Sequence, residues 1–311
     1  MNMCVTTCTA VALVVACAAP RSRPVRLVPL FGPAVGREAI SGRTDRPNGT
    51  SFLVAGRTVV HLELKTRAWA EVRLQAGPAE KFWGLARLAD GTLWTLNAQN
   101  TLVEIGPDGR VIREAGSRNA YLGLFSGGDR LVLQRARLSV GAPAMITMLP
   151  DSGDERPWSG MLVRAFDQLT LGAATALNLV SCGRSERAEV PCWFPEEAAV
   201  SLIAADGTTR RLVLEGLSSI APEILLKATV PSRPIRDVFV ERDGTIWVLA
   251  GGEPPVTGVS LPGGWLLARY SLKGEPIDRR TLPEPVRAIL RAGAGRAVVL
   301  TGAGVVAEVQ P

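Results

Sequence analysis

Histidine is almost missing: His61 is the only one in 311 residues. A Ser-His-Asp triad or a histidine-built zinc site therefore has a single residue to draw on, and His61 stands in the alternating run "VVHLEL", where a strand is expected. Lysine is scarce as well. Lys65, Lys81, Lys227 and Lys273 are the only ones, so the formal charge of +6 rests on arginine. No arginine cluster is interleaved with aromatics, which removes the usual footprint of a nucleic-acid binder. There is no G-x-S-x-G nucleophile motif. The glycine-rich stretch "GGEPPVTGVSLPGG", Gly251 to Gly264, has no lysine and opens no helix, so it reads as an inserted loop and not as a phosphate cradle. Nor is there a sustained helical stripe. The nearest runs, "FPEEAAVSLIAAD" and "SSIAPEILLKATV", are short and interrupted by proline.

Of the five cysteines, Cys4, Cys8 and Cys17 fall in "MNMCVTTCTAVALVVACAAPRSRP", an apolar stretch of export-signal length that is short for a membrane span. Val14-Val15-Ala16-Cys17 resembles the bacterial lipobox. That resemblance implies a lipidated Cys17, with cleaved secretion and an uncleaved anchor as the alternatives. Residues 1–17 are then the signal, 18–30 a linker with a candidate closing strand, and 31–311 the folded domain, placed in the periplasm or outer envelope. Cys182 and Cys192 close the polar segment "SCGRSERAEVPCW". In an oxidising compartment a disulfide is the expected outcome, with Trp193 expected to cover it. With no second pair and no nearby histidine, they do not complete a zinc site.

What is present is alternation of period two, in runs such as "SFLVAGRTVVHLEL", "DRLVLQRARLSV", "GTIWVLAG" and "RAVVLTG". An inner turn recurs at Gly56-Arg57, Asp90-Gly91, Gly128-Asp129, Asp243-Gly244 and Gly295-Arg296. A second turn lies further out, at Asp108-Gly109, Asp206-Gly207 and Lys273-Gly274. Such pairs suit tight two-residue hairpins. Matched double turns at this spacing predict four-stranded meanders, an all-β propeller of six blades over residues 46–77, 80–117, 119–158, 160–218, 233–283 and 284–311. The last has room for three strands, and "VRLVPLF", Val25 to Phe31, is expected to supply the fourth and close the ring. A two-sheet sandwich accounts for the strands but not for the double turns. Trp94 and Trp247, each three residues past an inner-turn glycine, are expected to pack between blades.

The "DGTLW" and "DGTIW" turns resemble those of bacterial six-bladed propellers of the NHL-repeat-like kind. That resemblance implies a central channel whose mouth takes ligands, without selecting a function. About eight residues before the inner turns stand Asn48, Trp83, Tyr121, Arg236 and Arg287, with Arg164 from the fourth blade. Together they are the candidate mouth: aromatics for stacking and guanidiniums for an anionic or carbohydrate-like ligand. The virginiamycin B lyase family, similar in fold, uses a histidine base, and His61 is not placed for it. Gluconolactonase-like propellers hold a divalent metal, for which Asn48, Asp167 and Asp237 are the candidate ligands here. The expectation is a monomeric binding module without cofactor, taking a small ligand or an envelope protein; a metal-dependent hydrolase and a structural scaffold are the alternatives.

Overall fold

The computed structural model describes residues 23–32, 40–46, 49–75, 80–115, 121–136, 139–158, 161–165, 171–220, 233–252 and 264–311. The signal segment with Cys17, together with Asn48, Asp167 and most of the glycine-rich insertion, lies outside them.

Two strands come first, β1 (Arg23–Pro24) and β2 (Arg26–Phe31). The first blade is β3 (Ile40–Arg46), β4 (Gly49–Val54), β5 (Thr58–Glu63) and β6 (Ala68–Arg73). The second is β7 (Trp83–Arg87), β8 (Leu93–Leu96), β9 (Leu102–Ile105) and β10 (Val111–Glu114). The third is β11 (Tyr121–Gly127), β12 (Arg130–Arg135), β13 (Ile146–Leu149) and β14 (Asp154–Pro157). A short helix, α1 (Leu171–Leu177), precedes β15 (Ser181–Cys182), β16 (Arg184–Ser185), β17 (Val190–Trp193), β18 (Ala199–Ile203) and β19 (Thr209–Val213). Then follow β20 (Arg233–Val240), β21 (Ile246–Gly252), β22 (Gly264–Tyr270) and β23 (Pro276–Leu282). The chain ends with β24 (Val286–Gly293), β25 (Arg296–Thr301) and β26 (Val306–Gln310).

These strands make an all-β propeller, with five four-stranded blades and one six-stranded sheet. The expectation of six equivalent four-stranded blades is corrected at that sheet. The meander β20–β23 gains β16 beside its inner strand and β1 beside its outer one, both by parallel pairing. The cause lies in the fourth blade, β15-β17-β18-β19, whose inner strand lasts two residues. After Cys182 the chain swings at Gly183 onto β20, so closely that a Cβ there would lie 2.2 Å from the Val238 carbonyl oxygen. The expected span of 160–218 is therefore corrected to 181–213, with an unforeseen helix before it. The N-terminal strand does complete the last blade: β2 pairs antiparallel with β26, Leu27 facing Val309. Cys182 and Cys192 face each other across β15 and β17 and form a disulfide.

The turns differ from expectation. Gly91 donates to the Leu88 carbonyl at 2.9 Å and Leu88 to that of Thr92 at 3.0 Å, which closes a three-residue loop with glycine in the left-handed position. The same pair of bonds recurs around Gly109, Gly207, Gly244 and Gly274. The aspartate stabilises this form because its carboxylate accepts the N–H two residues on, as from Asp90 to Thr92 at 2.9 Å and from Asp243 to Thr245 at 2.8 Å. The outer turns also join neighbouring sheets. A Cβ on Gly109 would meet the Arg73 carbonyl oxygen at 2.2 Å, and one on Gly274 that of Val213 at 2.0 Å. Each of these turns thus docks its backbone on the preceding outer strand.

Apolar faces fill the wedges between sheets. Trp94, Leu96 and Leu102 pack with Tyr121, Leu124 and Met148 of the third blade. Trp247, Leu249 and Leu267 pack with Val286, Ile289 and Val299 of the last. Each such side chain contributes about 1.5–3 kcal/mol on burial. Trp193 turns away from the disulfide, against the expectation: it packs with Val238 and Val248, and its indole N–H donates to the Ile235 carbonyl at 3.2 Å. Trp158 and Phe194 pack in the cluster of Cys192 instead.

Candidate functional site

The inner strands β3, β7, β11, β15, β20 and β24 surround the propeller axis. Around their N-terminal ends opens a cavity of 1260 Å³. Its wall is shaped by glycine on one side: a Cβ on Gly42 would meet the Gly84 backbone carbonyl carbon at 2.5 Å, and one on Gly84 the Leu124 Cβ at 2.9 Å. The strands of the first three blades therefore pack backbone to backbone, and large side chains enter from the remaining wall.

Trp83, Arg236 and Arg287 all line this cavity, joined by Trp265 from β22. The Arg236 guanidinium lies 5.5 Å from the Trp265 ring centroid, and its Nε donates to the Gly251 carbonyl at 3.1 Å. Stacking and this hydrogen bond fix the plane of the guanidinium. Burial lowers the pKa of the Arg287 guanidinium. Low-dielectric surroundings that disfavour a cation also strengthen its attraction to an incoming anion.

The other expected mouth residues are elsewhere. Tyr121 is fully buried between the second and third blades, where its hydroxyl donates to Glu155 Oε1 at 2.8 Å. Its position opens β11, but its side chain points into the interblade wedge and not to the channel. Arg164 is held away from the cavity by Glu196, by Glu197 at 2.9 Å and by the Leu177 carbonyl at 2.6 Å, with Phe194 stacked 3.7 Å from its guanidinium carbon. It ties α1 to the fourth blade. The first-blade register is also corrected. Gly56 lies between β4 and β5, the second and third strands, so the strand on the channel is β3, and the blade spans 40–73. His61 is on the third strand, its Nδ1 2.7 Å from Ser51 Oγ.

The floor of the cavity is an ion pair. Arg43 donates through both terminal nitrogens to the two carboxylate oxygens of Asp237, at 2.6 and 2.5 Å. Asp237 also accepts the N–H groups of Ile289 at 2.7 Å and Val238 at 2.9 Å. Burial pulls the Arg43 pKa down, but the charge and hydrogen bonds of Asp237, with Asp45 beyond, outweigh it, and the net shift is upward. Asp237, a candidate metal ligand, thus has its acceptors engaged by four donors. Among the described residues no group of three histidine, cysteine or acidic side chains is placed to hold a metal ion. Arg43 and Trp265 escaped the sequence reading. Arg43 stands in a polar strand without alternation, and Trp265 follows the inserted loop at no repeated position.

Below Arg43 and Phe125 a second cavity of 520 Å³ opens at the inner-hairpin end of the channel. Arg184, brought there by the diverted β16, spans this end. Its Nη1 donates to Asp45 Oδ1 at 2.7 Å, Thr50 Oγ1 at 3.1 Å and the Leu290 carbonyl at 2.9 Å.

No protein-family model matches the chain, and no curated protein matches it. Solved structures do. A member of the DUF4221 family from Bacteroides vulgatus aligns with a TM-score of 0.54 at 12% identity, over 93% of this chain and 96% of that one. A calcium-binding protein, regucalcin, from Agrobacterium tumefaciens strain C58 aligns with a TM-score of 0.53 at 12% identity, over 92% and 93%. Virginiamycin B lyase from Staphylococcus aureus aligns at 17% identity over 91% and 87%, with a TM-score of 0.49. At these identities the likeness is one of fold: the chain is a β-propeller.

Proposed function

We propose that this protein is an exported, lipid-anchored propeller that binds an anionic, carbohydrate-like ligand in the 1260 Å³ cavity and performs no catalysis on it. The observation that carries the reading is the lining itself. Trp83 and Trp265 line it with aromatic rings, Arg236 and Arg287 line it with guanidiniums, and the buried carboxylate, Asp237, is committed to Arg43. At 1260 Å³ the cavity exceeds the roughly 300–1,000 Å³ that ligand cavities commonly enclose, which leaves room for an oligosaccharide-sized ligand. Export is supported by the Cys182–Cys192 disulfide, a bond that persists in oxidising compartments, and by the lipobox-like segment ending at Cys17.

The test is a thermal-shift screen of acidic mono- and oligosaccharides, followed by titration calorimetry of the hits. W83A and R287A should each weaken a hit at least about tenfold, the size of one lost stacking or charge-assisted contact. Hits that bind both variants as well as the parent would place the ligand elsewhere. Turnover of a lactone or ester, abolished by D237N in protein that remains folded, would replace the reading with metal-assisted hydrolysis. A scaffold role has one observation in its favour, the exposed Trp69, Ile112, Val213 and Ile277 on outer strands. Partner binding through that rim would survive both cavity variants.

A further inference from the structure

We propose that the second cavity, at the inner-hairpin end of the channel, is a binding site for a small tetrahedral oxyanion of the phosphate class. Five arginines and three carboxylates line it, and most of these charges are matched. Arg43 is held by Asp237, and Arg187 by Glu189 at 2.9 Å. Arg184 uses only Nη1, on Asp45, Thr50 and the Leu290 carbonyl. Its Nε and Nη2 are buried with no hydrogen-bond partner among the described residues, and so is Nη1 of Arg130. The Arg184 side chain is only 7% exposed. Asp129, at the rim, forms no ion pair among the described residues.

A buried N–H without an acceptor destabilises the fold, and more so when the group is charged. The three nitrogens belong to two arginines that line one cavity. The group that relieves them must bring acceptors and negative charge together. Arginine edges fit the spacing of oxygens on phosphate, which accepts two parallel N–H bonds from one guanidinium. The hairpin beside them is open: Gly128 has φ +77° and no atom within 4 Å of where a Cβ would stand. The Ser126 and Thr44 hydroxyls, 2.8 Å apart, stand on the same wall. At 520 Å³ the cavity holds the anion and a substituent the size of a sugar. The two cavities share Arg43, Phe125 and Cys182, but Arg130 and Arg184 line only the second and Trp83 only the first.

Titration calorimetry of the full chain with inorganic phosphate, sulfate and glucose 6-phosphate, at constant ionic strength set with chloride, tests this. Saturable phosphate binding is expected, weakened at least tenfold by R130Q and partly restored in R130K. Tighter binding of glucose 6-phosphate than of inorganic phosphate would identify the ester as the better ligand, and the reverse the free anion; sulfate equal to phosphate would assign recognition to shape and charge alone. Each of these supports the site. R184Q should abolish binding; if it does not fold, R130Q, at the first residue of β12, still decides. W83A should leave phosphate binding unchanged, so failure of the larger site and failure of this one are distinguishable. Heat no different from the chloride control, or phosphate affinity unaltered by R130Q, would overturn the proposal and leave water as the occupant.

Discussion

The blades and the channel of this propeller are held by opposite kinds of interaction. In a blade, the decisive contacts are local: an aspartate bonds the N–H two residues on, and a glycine closes a three-residue loop. In the channel they are long-range: Arg43 reaches Asp237 across 194 positions and Arg184 reaches Asp45 across 139. Blades repeat because a local solution can be copied; the channel locks the copies in place with buried charges that have no counterpart in the repeat. The two regions should therefore respond differently to substitution, the channel through uncompensated charge and the blades through backbone geometry.

The largest effect is expected at the channel. Asp237 is 2% exposed and Arg43 16%, so D237N strands a guanidinium away from water. Breaking a buried pair from one side costs about 3–5 kcal/mol, whereas replacing both partners with apolar residues is often near neutral. Urea denaturation should show D237N losing that amount and the double variant R43M/D237N, which removes both charges but keeps an acceptor for the Ile289 and Val238 N–H groups, regaining most of it. A loss under about 1 kcal/mol for D237N would show that the ion pair does not lock the ring.

Within the blades, two glycines with similar backbones separate conformational strain from interblade docking. Gly128 and Gly274 both have positive φ, +77° and +85°. G128A should cost about 1–2 kcal/mol, the penalty of the left-handed conformation, because its side chain enters open space. G274A adds a collision with the Val213 carbonyl oxygen at 2.0 Å, where the obstacle is backbone on the neighbouring blade. A loss of at least about 3 kcal/mol is expected, among the severe effects of a single substitution. Equal losses would mean that the outer turns do not join the sheets.

The same contrast governs what could be read from the chain. The Asp-Gly and Lys-Gly turns were legible because their causes lie within five residues. The closing strand Val25–Phe31 was legible because the last blade lacked a strand and an alternating segment was available. The inner strand of the first blade was not. Its residues, "ISGRTDR", face a polar channel and each other's backbones, so the alternation that betrays a half-buried strand is absent. Helix α1, "LGAATAL", has neither acidic start nor basic end and no polar face to set a period. Arg184 sits in "SCGRSERAE", polar enough to read as a loop, and only the disulfide and the pairing with β20 turn it into the channel. Trp83, Arg236 and Arg287 came together because they occupy equivalent places in the repeat; Tyr121 and Arg164 were lost because equivalent sequence position does not fix which wall a side chain faces.

The smallest expected effect tests the local end of the comparison by pH. The Asp206 carboxylate is held below its usual range first by the Thr208 backbone N–H and then by the Thr208 hydroxyl. A carboxylate with a depressed folded-state pKa stabilises the fold fully above its unfolded value, about 3.9, and the contribution disappears as pH falls through the folded value. D206N keeps an acceptor oxygen but no charge, so it removes only the pH-dependent part. The variant should therefore melt slightly below the parent at pH 7, and the gap should narrow as pH falls below about 4. Because Asp206 is fully exposed, salt and solvent keep that gap small. A gap unchanged at pH 2 would assign the effect to shape and not to charge, and the turn aspartates would then act as loop formers alone.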